Sequence, residues 1–198
     1  MAISVEDIKK LKELTGVGLG DAKSALVEAD GDFDKALEAM RKKGLTKAEK
    51  KGDRETREGL IESYVHSNRI GVVVEVNCET DFVARLPEFK EFAHQIAMQI
   101  AAMSPKYVAM EDIPADEYDA KKKELLESDS LKAKPADMAD KIVEGQLKKY
   151  FAEQVLMEQS YILDDSKTVG DHVKERIAQS GENVRISQFK RIELGVTE

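Results

Sequence analysis

Hydrophobic residues in the first 44 positions recur at helical spacing in three short stretches. Ser4 and Asp7 can form a capping box before the first stretch, and the glycine-rich TGVGLG ends it. Asp21 can cap the second helix, and Gly31 suits the left-handed position at that helix's end. The third helix is expected to end near Gly44. The positions predicted to share a packed face are Val5, Ile8, Leu11 and Leu14, then Ala22, Ala25, Leu26 and Ala29, then Phe33, Ala36, Leu37 and Met40.

Charge dominates the stretch from Arg41 to Glu58, where apolar anchors almost vanish. This pattern favours a solvated, partly helical linker. A nucleic-acid-binding patch is the alternative, but the stretch lacks interleaved aromatic side chains. We therefore predict a three-helix domain at 1–44, a charged linker at 45–58 and a core domain at 59–198.

The periodicity changes to alternation after the charged stretch. Ile61, Ser63 and Val65 fall on one side of the segment LIESYVHS, and the turn NRIG separates it from the β-branched VVVEVN. Two such segments predict a β-hairpin. A helix follows, with Phe89, Phe92, Ile96 and Ile100 at helical spacing, and then a more polar helix in DEYDAKKKELLES.

The rest of the chain repeats this mixture of helix and strand. A long helix is expected from Pro135, and Thr168 with Asp171 forms a capping box for another that ends at Gly181. NVRISQFKRIEL then returns to a strand pattern. The predicted face of the long helix consists of Met138, Ile142, Leu147, Phe151 and Val155. Helices enclosed by strands predict an α+β fold with a mostly antiparallel sheet and helices packed on it.

The charge, the cysteine count and the apolar runs of the chain argue against several functional classes. The 39 acidic and 31 basic residues give a net charge of −8, which argues against a general binder of nucleic acids or anionic membranes. A single cysteine excludes an intramolecular disulfide framework. No apolar run approaches the ~20 residues that cross a bilayer, and the N-terminus does not resemble a signal peptide. We expect a cytoplasmic protein.

Candidate catalytic and metal-binding residues are scarce. His66, His94 and His172 are far apart in sequence and have no metal-ligand spacing. Cys78 could be a nucleophile, but a small buried cysteine is favoured because no histidine signature accompanies it. GVGLGDAKS fails as a phosphate loop, since two residues separate Gly20 from the lysine. We expect no enzyme activity, no metal and no cofactor.

The segment VNCETDFVAR places a phenylalanine at a polar strand end, in a chain with six phenylalanines and no tryptophan. On spacing alone, Phe82 and Val83 turn inward and Asp81 caps the following helix. The alternative is that Phe82 inserts into a partner, because aromatic side chains dominate the energetics of interfaces.

Two motifs resemble those of the bacterial elongation factor Ts family. EVNCETDFVAR (Glu75 to Arg85) is similar to one family signature, and LKELTGVGLGDAKSAL (Leu11 to Leu26) is similar to the other. The resemblance extends from about Val5 to Gly195. It implies a ubiquitin-associated-like three-helix module and a short form with one copy of the core module.

The resemblance also implies a function and a set of site residues. It implies guanine-nucleotide exchange on elongation factor Tu, with Phe82 inserted between helices of the partner's GTP-binding domain and the partner's Mg²⁺ dislodged. Thr80, Asp81 and Val83 would frame this element. The N-terminal module would contact the same partner through Lys12, Val17, Leu19 and Gly20, where the family usually has arginine instead of Lys12 and bulky residues instead of Leu19 and Gly20. A homodimer, and no direct contact with nucleic acid or membrane, are also implied. A peptide-binding adaptor that uses the three-helix module is the alternative function.

Overall fold

Helices α1 (Val5–Thr15), α2 (Leu19–Glu28) and α3 (Phe33–Glu49) precede the first strand. The computed structural model describes residues 3–15, 17–49, 51–128 and 136–196. The three helices enclose a small hydrophobic cluster in which alanines allow close helix approach: Leu11, Ala22, Ala25, Leu26, Ala36 and Met40. This arrangement agrees with the predicted three-helix start of the chain.

The ends of these helices agree with the sequence only in part. Gly31 adopts the predicted left-handed conformation (φ 81°), and the Ser4 hydroxyl accepts the amide hydrogen of Asp7 at 2.9 Å. The prediction that Asp21 caps α2 is wrong: Gly18 is the N-cap residue, so Asp21 lies in the first turn. Helix α3 also continues five residues past Gly44. Only part of the predicted α1 face is buried, because Val5 and Leu14 are exposed.

The predicted hairpin is confirmed. Strands β1 (Glu58–His66) and β2 (Ile70–Cys78) pair antiparallel, and the turn between them has positive φ at Ser67 and Asn68. Strand β5 (Val184–Glu193) pairs antiparallel with β2, so the sheet order is β1-β2-β5. The inner side of β2 is buried from Val72 to Cys78, whereas Ile61 and Val65 of β1 point to the exposed face.

Helices α4 (Asp81–Arg85) and α5 (Pro87–Met103) follow the hairpin, and both pack against it. The α5 residues predicted to share a face are all buried in the main core: Phe89, Phe92, Ile96 and Ile100. The buried Gln99 side chain donates to the carbonyl oxygen of Ser160 at 3.1 Å and accepts the amide hydrogen of Ile162 at 2.9 Å. These hydrogen bonds tie α5 to the second, smaller sheet.

Helices α6 (Ala115–Leu126) and α7 (Ala136–Ala152) pack on each other around a separate cluster that includes Val143, Leu147 and Phe151. The predicted start at Pro135 lies outside the described residues. Of the predicted α7 face, Leu147 and Phe151 are buried as expected, whereas Met138 is exposed. Strands β3 (Ser160–Tyr161) and β4 (Asp164–Thr168) then form a two-stranded sheet.

Helix α8 (Val169–Ser180) begins with the predicted capping box and ends at Gly181, which has a φ of 77°. Its N-terminal Thr168 hydroxyl accepts the amide hydrogen of Asp171, whose carboxylate accepts that of Thr168. Mixed helices and antiparallel strands thus confirm the α+β class.

The segment between α3 and β1 is hydrogen-bonded to the loop after α8. Lys51 Nζ donates to the carbonyl oxygen of Gly181 at 2.6 Å. Asn183 Nδ2 donates to the carbonyl oxygens of Gly52 and Arg54 at 3.1 and 2.8 Å. Helix α3 also packs against α8. The division into 1–44, 45–58 and 59–198 stays a prediction.

Candidate partner-binding surface

The turn after β2 leads directly into the short helix α4. Thr80 has an extended backbone (φ −129°, ψ 153°), and its hydroxyl oxygen accepts the amide hydrogen of Val83 at 3.4 Å. Threonine is favoured at this position because its hydroxyl satisfies an amide that has no partner within the helix. The interpretation that Asp81 caps the helix is therefore wrong: the cap is Thr80, and Asp81 is the first helical residue.

Phe82 and Val83 have opposite environments although they are neighbours. Phe82 is 80% exposed, the largest fraction among the large hydrophobic side chains that the structure describes, whereas Val83 is 8% exposed. Successive residues of a helix point about 100° apart, so Val83 and Ala84 reach the core while Phe82 faces solvent. The expectation that Phe82 turns inward is wrong, and the expectation for Val83 is confirmed.

Charged side chains flank the exposed ring. Asp81 and Arg85 form an ion pair at 2.9 Å, one helical turn apart. An exposed pair of this spacing stabilises a helix by only about 0.3–0.5 kcal/mol. Asp81 also lies in the first turn of α4, where a negative charge is favourable. The surface that α4 presents is therefore an apolar ring next to a compensated pair of charges.

Glu182, in the loop between α8 and β5, holds the turn before α4 in place. Its carboxylate accepts hydrogen bonds from the amide nitrogens of Glu79 and Thr80 at 3.1 and 3.0 Å, and from the Thr80 hydroxyl at 2.6 Å. Sequence reasoning missed this residue. It lies 102 positions from Thr80, so local spacing contains no signal for the contact.

The other predicted contact residues lie around the connection between α1 and α2. Lys12, in the last turn of α1, and Gly20 are exposed, and Leu19 is 52% exposed. Val17 is half-buried and packs against the three-helix cluster. Val17 packs on the three-helix cluster, whereas Val83 and Ala84, the neighbours of Phe82, pack in the main core, so the candidate surface has two parts.

Cys78 ends strand β2 just before the turn and is completely buried. Its thiol donates to the carbonyl oxygen of Thr80 at 3.1 Å, and burial raises its pKa to about 11. A thiol with this pKa is protonated at neutral pH and is a poor nucleophile. The expectation of a small buried cysteine is confirmed.

Among residues 3–15, 17–49, 51–128 and 136–196, no group of three or more His, Cys, Asp and Glu side chains is arranged to hold a metal ion. Within the same ranges, no helix has the length and apolar character needed to span a bilayer.

Comparisons with known proteins identify relatives over nearly the full length. The family model described as elongation factor TS matches residues 8–196. The chain is 55% identical to elongation factor Ts of Thermotoga petrophila, with 98% of each chain covered. It is 54% identical to the Thermotoga maritima protein of the same name, again over 98% of each chain. The Caldanaerobacter subterraneus protein of that name is 51% identical, over 98% of this chain and 97% of its own.

Proposed function

Because the chain belongs to the elongation factor Ts family, we propose that it is a guanine-nucleotide exchange factor for elongation factor Tu. The observation that carries the proposal is the exposed ring of Phe82 on a helix whose neighbouring residues are anchored. An exposed aromatic side chain on a rigid support is suited to binding a partner, because little conformational freedom is lost when it becomes buried.

The proposed mechanism is thermodynamic linkage between two ligands of elongation factor Tu. A GTPase that holds GDP with nanomolar affinity has about 12 kcal/mol of binding free energy, so release is slow. A protein that binds the nucleotide-free state more tightly weakens nucleotide binding by the same factor. This chain therefore needs no covalent chemistry, and we propose that it is not an enzyme.

In this mechanism Phe82 enters the GTP-binding domain of the partner and displaces the helices around it. The displacement disturbs the groups that hold the partner's Mg²⁺, an ion that requires near-ideal octahedral geometry. Asp81 supplies a polar contact, and Thr80 and Val83 fix the turn that carries the ring. The exposed side chains of Lys12 and Leu19 support a second contact on the N-terminal module, next to Val17 and Gly20.

Stimulated release of a fluorescent GDP analogue from elongation factor Tu tests the proposal. Phe82→Ala should remove most of the stimulation. Met138→Ala is the matched control, because Met138 is also exposed (56%) but lies on α7, in a different part of the fold. Stimulation by Phe82→Ala equal to that of the control would refute the assignment of Phe82.

We further propose that two copies of the chain associate through the outer face of the three-stranded sheet. Ile61, Val65, Val73 and Ile192 are all exposed there, with exposed fractions of 71, 64, 48 and 73%. The register places Val65 and Ile192 on either side of Gly71, so these two apolar side chains lie close together on the face. Apolar sheet faces pack on each other in sandwiches, and a second copy offers an identical face.

Sedimentation equilibrium tests the homodimer. The expected mass is twice the 22.1 kDa of the chain, and Ile192→Lys should shift it toward the monomer. Lys106→Glu, a charge change outside the sheet, should leave the mass unchanged. A wild-type mass of 22.1 kDa at micromolar concentration would contradict this proposal.

A further inference from the structure

We propose that Glu182 is a positioning residue that fixes the direction of the Phe82 ring, an inference that rests on the proposed exchange function. Strand β2 ends at Cys78, so the next two amide groups leave the sheet. Glu182 Oε2 accepts both of them, and Oε1 accepts the Thr80 hydroxyl. A half-buried carboxylate makes charge-assisted hydrogen bonds, which are stronger than those between neutral groups.

The hydroxyl of Thr80 transmits this restraint to α4. A hydroxyl group has one hydrogen to donate, and here Glu182 accepts it at 2.6 Å. The oxygen lone pairs then remain available to the amide of Val83, which donates to the same hydroxyl oxygen. Glu182 therefore sets the orientation of the capping group, and this group holds Val83, the residue that follows Phe82.

A reciprocal contact strengthens the same connection. While Glu182 binds the amides of residues 79 and 80, Glu79 Oε1 accepts the amide hydrogen of Asn183 at 2.6 Å. Glu79 also lies 3.4 Å from Arg54 Nη1, and Asn183 Nδ2 donates to the carbonyl oxygen of Arg54. The turn before α4, the loop after α8 and the segment after α3 thus form one hydrogen-bonded junction.

The rigidity of the turn affects the affinity for the partner, because a mobile turn loses conformational entropy when the partner binds. Ordering one residue lowers the affinity roughly 5- to 30-fold. Loss of the Glu182 carboxylate should therefore lower the efficiency of exchange, kcat/KM, by about this factor, although Glu182 itself does not have to contact the partner.

Fluorescence of the isolated chain tests the positioning role without the partner. The chain has no tryptophan, so Phe82→Trp introduces a single probe at the ring. Adding Glu182→Ala should lower the tryptophan anisotropy, whereas adding Glu124→Ala, which removes an exposed carboxylate on α6, should not. Equal anisotropy in all three variants would overturn the proposal. If Glu182→Ala does not fold, Glu182→Gln replaces it: lower anisotropy than in the Glu124→Gln control supports the proposal, and equal anisotropy overturns it.

GDP-release kinetics test whether Glu182 acts through the ring. Glu182→Ala should reduce kcat/KM roughly 5- to 30-fold, as one ordered residue predicts. The same substitution in a Phe82→Ala background should cause no further loss, because the ring is already absent. A full additional loss would overturn the positioning role. If Phe82→Ala alone leaves exchange unchanged, the proposed function fails, and the anisotropy still decides whether Glu182 fixes the turn.

Discussion

The neighbouring residues Phe82 and Val83 should have opposite effects when each is truncated to alanine. Phe82 is 80% exposed and Val83 is 8% exposed. If the exposed ring serves the partner and the buried valine serves the fold, then Phe82→Ala should affect exchange and Val83→Ala should affect stability. The pair is well matched because both residues belong to the same five-residue helix.

The expected magnitudes follow from burial. Full burial of a phenylalanine contributes about 1.5–3 kcal/mol, so a ring that is one-fifth buried contributes under about 1 kcal/mol to the free energy of unfolding. Val83→Ala deletes two methyl groups from the core, which should cost about 1–3 kcal/mol. In the complex, truncation of a buried aromatic anchor costs about 2–4 kcal/mol, which corresponds to a roughly 30- to 1000-fold loss.

Two assays separate the effects. Urea unfolding followed by circular dichroism measures stability, and release of a fluorescent GDP analogue from elongation factor Tu measures exchange. Phe82→Ala should unfold nearly like the wild type and lose exchange. Val83→Ala should unfold at lower urea but keep most exchange while folded, because its backbone amide still donates to the Thr80 hydroxyl. Greater destabilisation by Phe82→Ala than by Val83→Ala would show that the ring packs in its own core, and it would refute the reasoning.

Three further predictions concern the fold around the site. Gln99→Leu should lower the free energy of unfolding by about 2–3 kcal/mol, measured by urea unfolding, because backbone groups around β3 lose their partners; an unchanged midpoint would contradict this. Gly59→Ala should destabilise the hairpin by more than about 1 kcal/mol, seen as a lower Tm, since φ is 151° and a Cβ would lie 2.2 Å from the Val76 carbonyl oxygen; Gly20→Ala, where a Cβ meets open space, is the control. The folded Cys78 thiol should resist iodoacetamide at pH 8. Because the pKa of this thiol is raised from 9.0 to about 11, the folded state holds the proton more tightly than the unfolded state. The free energy of unfolding should therefore fall as the pH rises from 9.0 to about 11. Cys78→Ala should lack this component of the pH dependence, and rapid labelling of the folded wild type would contradict the burial.

Local pattern was sufficient for the elements that bury one face. The alternation in β1 predicted that Ile61 and Val65 would share a side, and the helical spacing of Phe89 and Phe92 predicted the buried face of α5. Periodicity succeeds in these places because a two-residue or 3.6-residue repeat directly determines which side chains can reach a core. The α+β class followed from the order of such segments.

Local sequence pattern does not predict where a helix begins or ends when contacts between distant residues determine these positions. Asp21 has the side chain of a good capping residue, yet the helix starts earlier, at Leu19, where no local rule was decisive. Helix α3 continues past Gly44, and it packs against α8, a contact that no local pattern contains.

At the candidate site, too, some features follow from local pattern and others depend on contacts between distant residues. Spacing alone favours an inward Phe82, because phenylalanine is among the residues most often buried in folded proteins. The structure exposes the ring because Val83 and Ala84 already occupy the inner side of α4. Glu182 could not be found from spacing at all, since more than one hundred residues separate it from the turn that it holds.

Hydroxyl-radical footprinting of the native chain, alone and bound to nucleotide-free elongation factor Tu, tests the central claim most directly. The oxidation rate of Phe82 should be high in the free chain, where the ring is 80% exposed, and should fall strongly in the complex. Oxidation of the exposed Met138 should stay the same in both samples. Equal oxidation of Phe82 with and without the partner would contradict the claim that its ring enters elongation factor Tu.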